Sequence, residues 1–175
     1  MAVFGFFLIE ILEGRSPSLG FLFLPFLLFL AVPVVVLMLF VKLGLVSDIH
    51  VYKRNERGLS YTIAVASALI FMVITQVESW FYRHWGLSVL LTLVALMLVN
   101  WIWMKASAHM AGLGGFMVFT LFAFAHGLSP LWCALAVVLA GLVYISRKGL
   151  SAHSHIELIA GFSLGLLVTF VTFRI

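Results

Sequence analysis

Six long apolar runs, at roughly residues 20–46, 60–77, 85–104, 112–126, 130–145 and 156–173, leave this chain of 175 residues few ways to fold. A run that apolar can sit in hydrocarbon only if its backbone hydrogen bonds close within the structure, which restricts the choice to helices or a closed barrel. The runs are continuous and lack the period-two alternation of barrel strands, so they predict helices. Apolar residues make up 65% of the chain and charged residues 9%, with a mean hydropathy of +1.24, against about 25% charged in soluble domains. The expected fold is therefore all-α: a polytopic integral membrane helical bundle of about six transmembrane helices, forming one domain over residues 1–175.

Smaller features fill in that outline. The opening MAVFGFFLIEILEG lacks the basic start and small-residue cleavage site of a secretory signal. Residues 1–14 predict a short interfacial helix with Glu10 and Glu13 toward water. Pro25 and Pro33 predict kinks in the first span. The fourth and fifth runs are shorter than the ~20 residues of a full crossing. Trp80, Trp85, Trp101 and Trp103 read as interfacial belts. Cys133 is the single cysteine, so no intrachain disulfide is available. The net charge of +4 fits membrane topology or an anionic lipid partner, and no nucleic-acid partner is expected.

Counting crossings puts segments 47–59, 105–111 and 146–157 on one side of the membrane, because two spans separate each from the next. These segments hold Asp48, His50, Lys53, Arg54, Glu56 and Arg57, then Lys105, Ser107 and His109, then Arg147, Lys148, His153, His155 and Glu157. Ionisable groups near membrane depth cost several kcal/mol unless paired or wetted, so three such clusters on one face mark a functional site. The plainer reading, a set of interface anchors, suits Lys42, Arg54 and Lys148 taken one by one. His153 and Glu157 stand four apart, one helical turn, where a carboxylate fixes the tautomer of an imidazole and stabilises its cation. His155 points elsewhere. Arg147, six residues before His153, offers the planar fork that matches phosphate oxygens. Gly112, Gly114 and Gly115 are placed at the start of the fourth span. Two readings apply to them, an anion site at a helix N-terminus and close helix packing.

With these residues in view, the chain resembles the type 2 phosphatidic acid phosphatases and their relatives among lipid phosphatases and vanadium haloperoxidases. The family's third motif, S-R-x5-H-x3-D, is matched by Ser146, Arg147, His153 and Glu157, with Glu for Asp. Its second motif, P-S-G-H, resembles Ala106-Ser107-Ala108-His109, and its first, K-x6-R-P, resembles the stretch from His50 to Arg57, with Gly58 for Pro. The resemblance covers about residues 47–165. It implies a phosphohistidine mechanism in which His153 is the nucleophile, Glu157 holds it, and His109 protonates the leaving oxygen. Arg57, Arg147, Ser107, Lys105 and either Lys53 or His50 would bind the phosphate. Arginine, lysine and backbone donors already supply the positive charge a metal ion would bring, so no metal or other cofactor is expected.

The expected activity is thus a membrane phosphatase, a phosphoric ester or diphosphate hydrolase, acting on a lipid phosphate or polyprenyl diphosphate. Two rivals stand beside it. One is a zinc site built from His50, His109, His153, His155 and Glu157 in an intramembrane hydrolase or transporter, against which no HExxH pair is present. The other is a catalytically silent relative that binds a lipid head group. The resemblance places the protein in a bacterial inner membrane with the site on the periplasmic side. Charge counting points the other way: Lys42, Lys53, Arg54, Arg57, Lys105, Arg147 and Lys148 share the motif side, against Arg15, Arg83 and Arg174 on the other. Several of the seven are the ones a phosphate would need.

Overall fold

The computed structural model describes residues 2–14, 19–48, 51, 53, 56–75 and 80–175. Among them there is no strand. The order is α1 (Ala2–Leu12), α2 (Leu19–Phe26), a π-helical turn (Leu27–Ala31), α3 (Val32–Lys42), α4 (Arg57–Thr75), α5 (Trp80–Ile102), α6 (Ala108–Ala125), α7 (Leu131–Gly149) and α8 (His155–Thr172). Among the described residues six helical stretches are long and apolar enough to cross a bilayer: Phe23–Lys42, Arg57–Ile74, Trp80–Ile102, Ala108–Ala125, Leu131–Gly149 and His155–Thr172. The chain is an all-α, multi-pass membrane bundle.

The first crossing runs through α2, the π turn and α3. Pro33 has no N–H to give the carbonyl of Phe29 and its ring crowds that carbonyl, so the helix widens into the π turn just before it. The helix ends at Lys42, short of the expected 46. Gly44 takes a φ of +73°, and the Leu45 N–H returns to the Phe40 carbonyl, the left-handed cap that glycine permits.

α6 and α7 correct the expectation of short crossings. They hold 18 and 19 residues, about 27 and 28 Å at 1.5 Å per residue, close to the ~30 Å hydrocarbon core. Each extends into polar sequence at the site end. Ser107 caps α6, and Arg147 and Lys148 fall in the last turn of α7, where cations are favoured by the helix dipole.

α6 is the central element, with 56% of its span buried, whereas α7 has 6% and faces outward. Its main partner is α8, which runs parallel to it. Ser107, Ala111 and Gly115 on α6 and its cap oppose Gly161, Gly165 and Thr169 on α8. An added Cβ would lie 2.3 Å from the Ser107 carbonyl oxygen at Gly161, and 1.8 Å from that of Ala111 at Gly165. At Gly114 it would lie 2.1 Å from the Phe162 oxygen. Two backbones this close are possible only with small residues four apart on both helices, the usual route to tight association in lipid. Of the two readings of Gly114 and Gly115, packing is therefore the one observed. They also lie beyond the first turn of α6, which starts at Ala108.

The amino-terminal helix differs from expectation as well. Glu10 does not face water: it is 4% exposed and its Oε1 accepts a hydrogen bond from the Tyr82 hydroxyl. Glu13 is half-buried. Gly5 lets α1 sit directly on the Trp85 indole, where a Cβ would come within 2.1 Å of the ring. Phe6 then enters an aromatic cluster with Phe29, Phe71 and Tyr82. Trp85 is accordingly 2% exposed, a core residue and not part of an interfacial belt. α5 begins at Trp80 and not at 85, which carries Trp85 more than a turn into the helix.

Candidate active site

The three polar segments meet at one end of the bundle through backbone bonds that the sequence alone does not reveal. The Ser107 N–H donates to the Glu157 carbonyl at 3.0 Å, tying the start of α6 to the first turn of α8. Lys105 Nζ donates to the Ala152 carbonyl at 3.0 Å, fixing the α5–α6 turn to the α7–α8 turn. The latter contains Ser151 at a φ of +52°.

His153 follows that turn and is 8% exposed. Its Nδ1 lies 3.2 Å from Glu157 Oε2, so the Nδ1–H faces the carboxylate and the Nε2 lone pair is left for chemistry. The same Oε2 accepts the Ser154 N–H at 2.9 Å, while Ser154 Oγ accepts the Glu157 N–H at 3.3 Å. This is a capping box: Ser154 and Glu157 satisfy each other's free donors and start α8. One oxygen therefore both starts the helix and orients the imidazole. The Ser-x-x-Glu spacing of 154–157 is the sequence signal that would have shown this second role of Glu157.

His109, on the first turn of α6, lies 2.7 Å by its Nε2 from Arg147 Nη2. A guanidinium can only donate, so His109 Nε2 accepts and the neutral ring carries its proton on Nδ1. Arg57 stands at the start of α4, with its Nε donating to the Val51 carbonyl at 3.1 Å. Val51 holds a φ of +48°, an unfavourable conformation for a β-branched residue that costs about 1–3 kcal/mol. The charge of Arg57 reaches Glu157, Arg147, Lys105, His109 and His153. Six of the expected residues, Arg57, Lys105, His109, Arg147, His153 and Glu157, thus converge.

No family model, curated protein or solved structure matches the chain.

Burial, followed by the positive charges of Arg57 and Lys105, holds His153 below the usual imidazole value of 6.5, and Glu157 pulls the other way. Lys105 is lowered from 10.5, chiefly by burial and then by the Arg57 charge, with Glu157 opposing. His153 is therefore a neutral base at neutral pH, in a setting rich in positive charge. Such a setting stabilises an anion and favours the free lone pair.

The remaining expected residues are placed differently. Ser107 is fully buried and its hydroxyl accepts the Met110 N–H at 3.5 Å, acting as the cap of α6. Lys53 is exposed and pairs with Glu56 Oε1 at 3.3 Å. Glu56 Oε2 in turn accepts from the N–H and hydroxyl of Ser47. The backbone bond from Ser47 is the main cause that holds the Glu56 carboxyl below its usual 4.5. His50 and Arg54 lie outside the described residues. His155 turns away from His153, its Nδ1 meeting the Tyr144 hydroxyl, a partner the sequence did not suggest. Among the described residues no three His, Cys, Asp or Glu side chains gather as metal ligands. His84 and His126 each turn Nδ1 to a carbonyl four residues earlier, Trp80 and Phe122, and pack among aromatic rings.

Proposed function

We propose that this protein is a membrane phosphatase that hydrolyses a lipid phosphate or diphosphate through a phosphohistidine intermediate. The observation that carries the reading is the His153–Glu157 pair, standing within the charge field of Arg57, Lys105 and Arg147 and beside His109. The resemblance of these residues to the motifs of type 2 phosphatidic acid phosphatases points the same way.

In the first step the His153 Nε2 lone pair attacks phosphorus, the N–P bond forms, and the P–O bond to the lipid breaks. The positive charge that develops on the ring is offset by Glu157 through Nδ1–H. Arg57, Arg147 and Lys105 face the charge on the phosphoryl oxygens, a preorganised electrostatic contribution that substitutes for a metal ion. The leaving oxygen takes a proton from His109. That role requires His109 to be protonated, and a cationic ring cannot accept from Arg147. Arrival of the phosphate therefore draws Arg147 off His109 and onto the substrate, and the freed Nε2 takes up the acidic proton of the phosphate monoanion, which it then passes to the leaving oxygen. In the second step water attacks phosphorus, gives its proton to His109, and the N–P bond breaks to release phosphate and restore His153.

The deciding experiment uses His153→Ala and His109→Ala in detergent. His153→Ala should bind substrate, form no acid-labile phosphoenzyme and show no turnover. His109→Ala should lose much less rate with p-nitrophenyl phosphate, whose leaving group needs no proton, than with an alkyl phosphate. Turnover of lipid phosphate by His153→Ala near the wild-type rate rules the mechanism out. The site is proposed to face the periplasm of a bacterial inner membrane. Labelling of Ser151→Cys by an impermeant thiol reagent in intact spheroplasts would support that sidedness, and its absence would reverse it.

A further inference from the structure

Beneath His109 the helices frame a partly open cavity of about 330 Å³. Its walls are largely apolar, including Leu93 and Leu96 of α5 and Leu113 of α6, and its lining extends to Trp85 and Phe29. The lining residues of α5 run from Trp85 to Leu96, about 17 Å along the helix at 1.5 Å per residue. One of its hydroxyls, Ser88, is already bonded to its own helix through the Trp85 carbonyl. A void of this kind, with His109 at one end and largely apolar walls broken by the hydroxyls of Ser88, Thr92 and Thr169, fits an amphiphile whose anionic head meets the Arg147–His109 pair.

The far end is closed by an unusual element. Trp85 and Phe29 line the cavity, and α1 is the helix behind both: Gly5 contacts the indole and Phe6 stacks on Phe29 with centroids 6.0 Å apart. The Glu10–Tyr82 hydrogen bond pins α1 to α5 beside them. We propose that Trp85, backed by α1, is the floor of a pocket for one hydrocarbon chain of the substrate, and that it sets the length of chain the protein accepts. This rests on the phosphatase reading for the identity of the head group. Extended chains advance about 1.2 Å per bond, so a 17 Å pocket takes a chain of about fourteen carbons. A second chain has no room and stays in the bilayer, which favours single-chain or prenyl phosphates over substrates that must bury two chains.

The test measures the binding of a ladder of straight-chain alkylphosphonates, which cannot be hydrolysed, by thermal stabilisation of the purified protein in detergent. Wild-type affinity should rise up to about fourfold per methylene while each added group is buried, and level off near fourteen carbons. Leu93→Trp, which fills the wall, should level off at a shorter chain, and Trp85→Ala, which lowers the floor, at a longer one. Should Trp85→Ala not fold, the wild-type and Leu93→Trp comparison still decides. Affinity independent of chain length, or levelling at the same length in wild type and Leu93→Trp, overturns the proposal. Cleavage of p-nitrophenyl phosphate, which has no chain, is read in parallel. Chain-graded binding without cleavage supports the pocket and counts against the phosphatase reading, and cleavage without chain-graded binding does the reverse.

Discussion

Replacing Gly161 by alanine should uncouple the two halves of the site. The added Cβ would lie 2.3 Å from the Ser107 carbonyl oxygen and 2.9 Å from its nitrogen. Both are backbone atoms that cannot rotate away. Reaching ordinary contact at 3.4 Å requires about 1 Å of separation between α8 and the cap of α6, an overpacking that costs about 1–3 kcal/mol. The same displacement stretches the 3.0 Å bond from the Ser107 N–H to the Glu157 carbonyl, adding about 1 kcal/mol. His109 and His153 ride on the two sides of this joint. A misplacement of about 1 Å at reacting groups can cost about a hundredfold in rate. The prediction is a fall of about two orders of magnitude in kcat/KM with a folded protein of modestly lower Tm, measured by phosphate release and thermal unfolding in one detergent. Gly115→Ala is the control. Its Cβ meets the Thr169 hydroxyl at 2.8 Å, a side chain that can give way, further down the same seam. Both residues also line the cavity, so the comparison is read with p-nitrophenyl phosphate, which has no chain: Gly115→Ala should lose stability but keep most of that activity. Equal loss of activity in both variants, or full activity in Gly161→Ala, would refute the claim that this joint sets the site.

Three further outcomes follow from the geometry. In the proposed mechanism His153 must be neutral to attack, and it is held below its usual value, so activity should persist as pH falls through 6.5 and be lost only on passing through the lowered value. Lys105→Met, by removing a positive neighbour, should shift that acid limb of kcat/KM upward. Glu157→Gln keeps an acceptor for the Ser154 N–H but loses the charge facing the imidazole. It should fold with near-normal Tm, shift the acid limb to still lower pH and slow turnover, whereas Glu157→Ala should also lose about 1–2 kcal/mol of stability with the cap, measured by thermal or denaturant unfolding. Activity should survive EDTA, and loss in EDTA restored by zinc or magnesium would move the metal-site alternative to the front.

The crossings were readable because lipid offers the backbone no partner, so each had to announce itself as a long apolar run. The side on which the polar segments meet followed from counting. What the sequence hid depends on residues whose contribution is an absence. Gly5 and Gly161 carry no side chain, and it is that lack which lets α1 reach Trp85 and α8 reach Ser107. Glu10 looked like a surface carboxylate because its partner, Tyr82, is 72 positions away. Lys53 looked available for phosphate, yet Glu56 lies one turn on, and a pairing at that spacing was open to being weighed. The double role of Glu157 was visible in Ser154-x-x-Glu157, a pattern usually read for helix starts and not for catalysis.

The joint between Ser107 and Glu157 also bears on the biogenesis of the protein. Ribosomes deliver helices in order, and α4 to α7 can enter the membrane with Arg57, Lys105, His109 and Arg147 already in place. Until α8 arrives, however, the capping box is unformed, Glu157 has no fixed position and the seam of α6 is open to lipid. The His153–Glu157 pair and α8 form in a single event. A nascent chain arrested after α7 would hold Arg57, Lys105, His109 and Arg147 without the Glu157 carboxylate that orients His153.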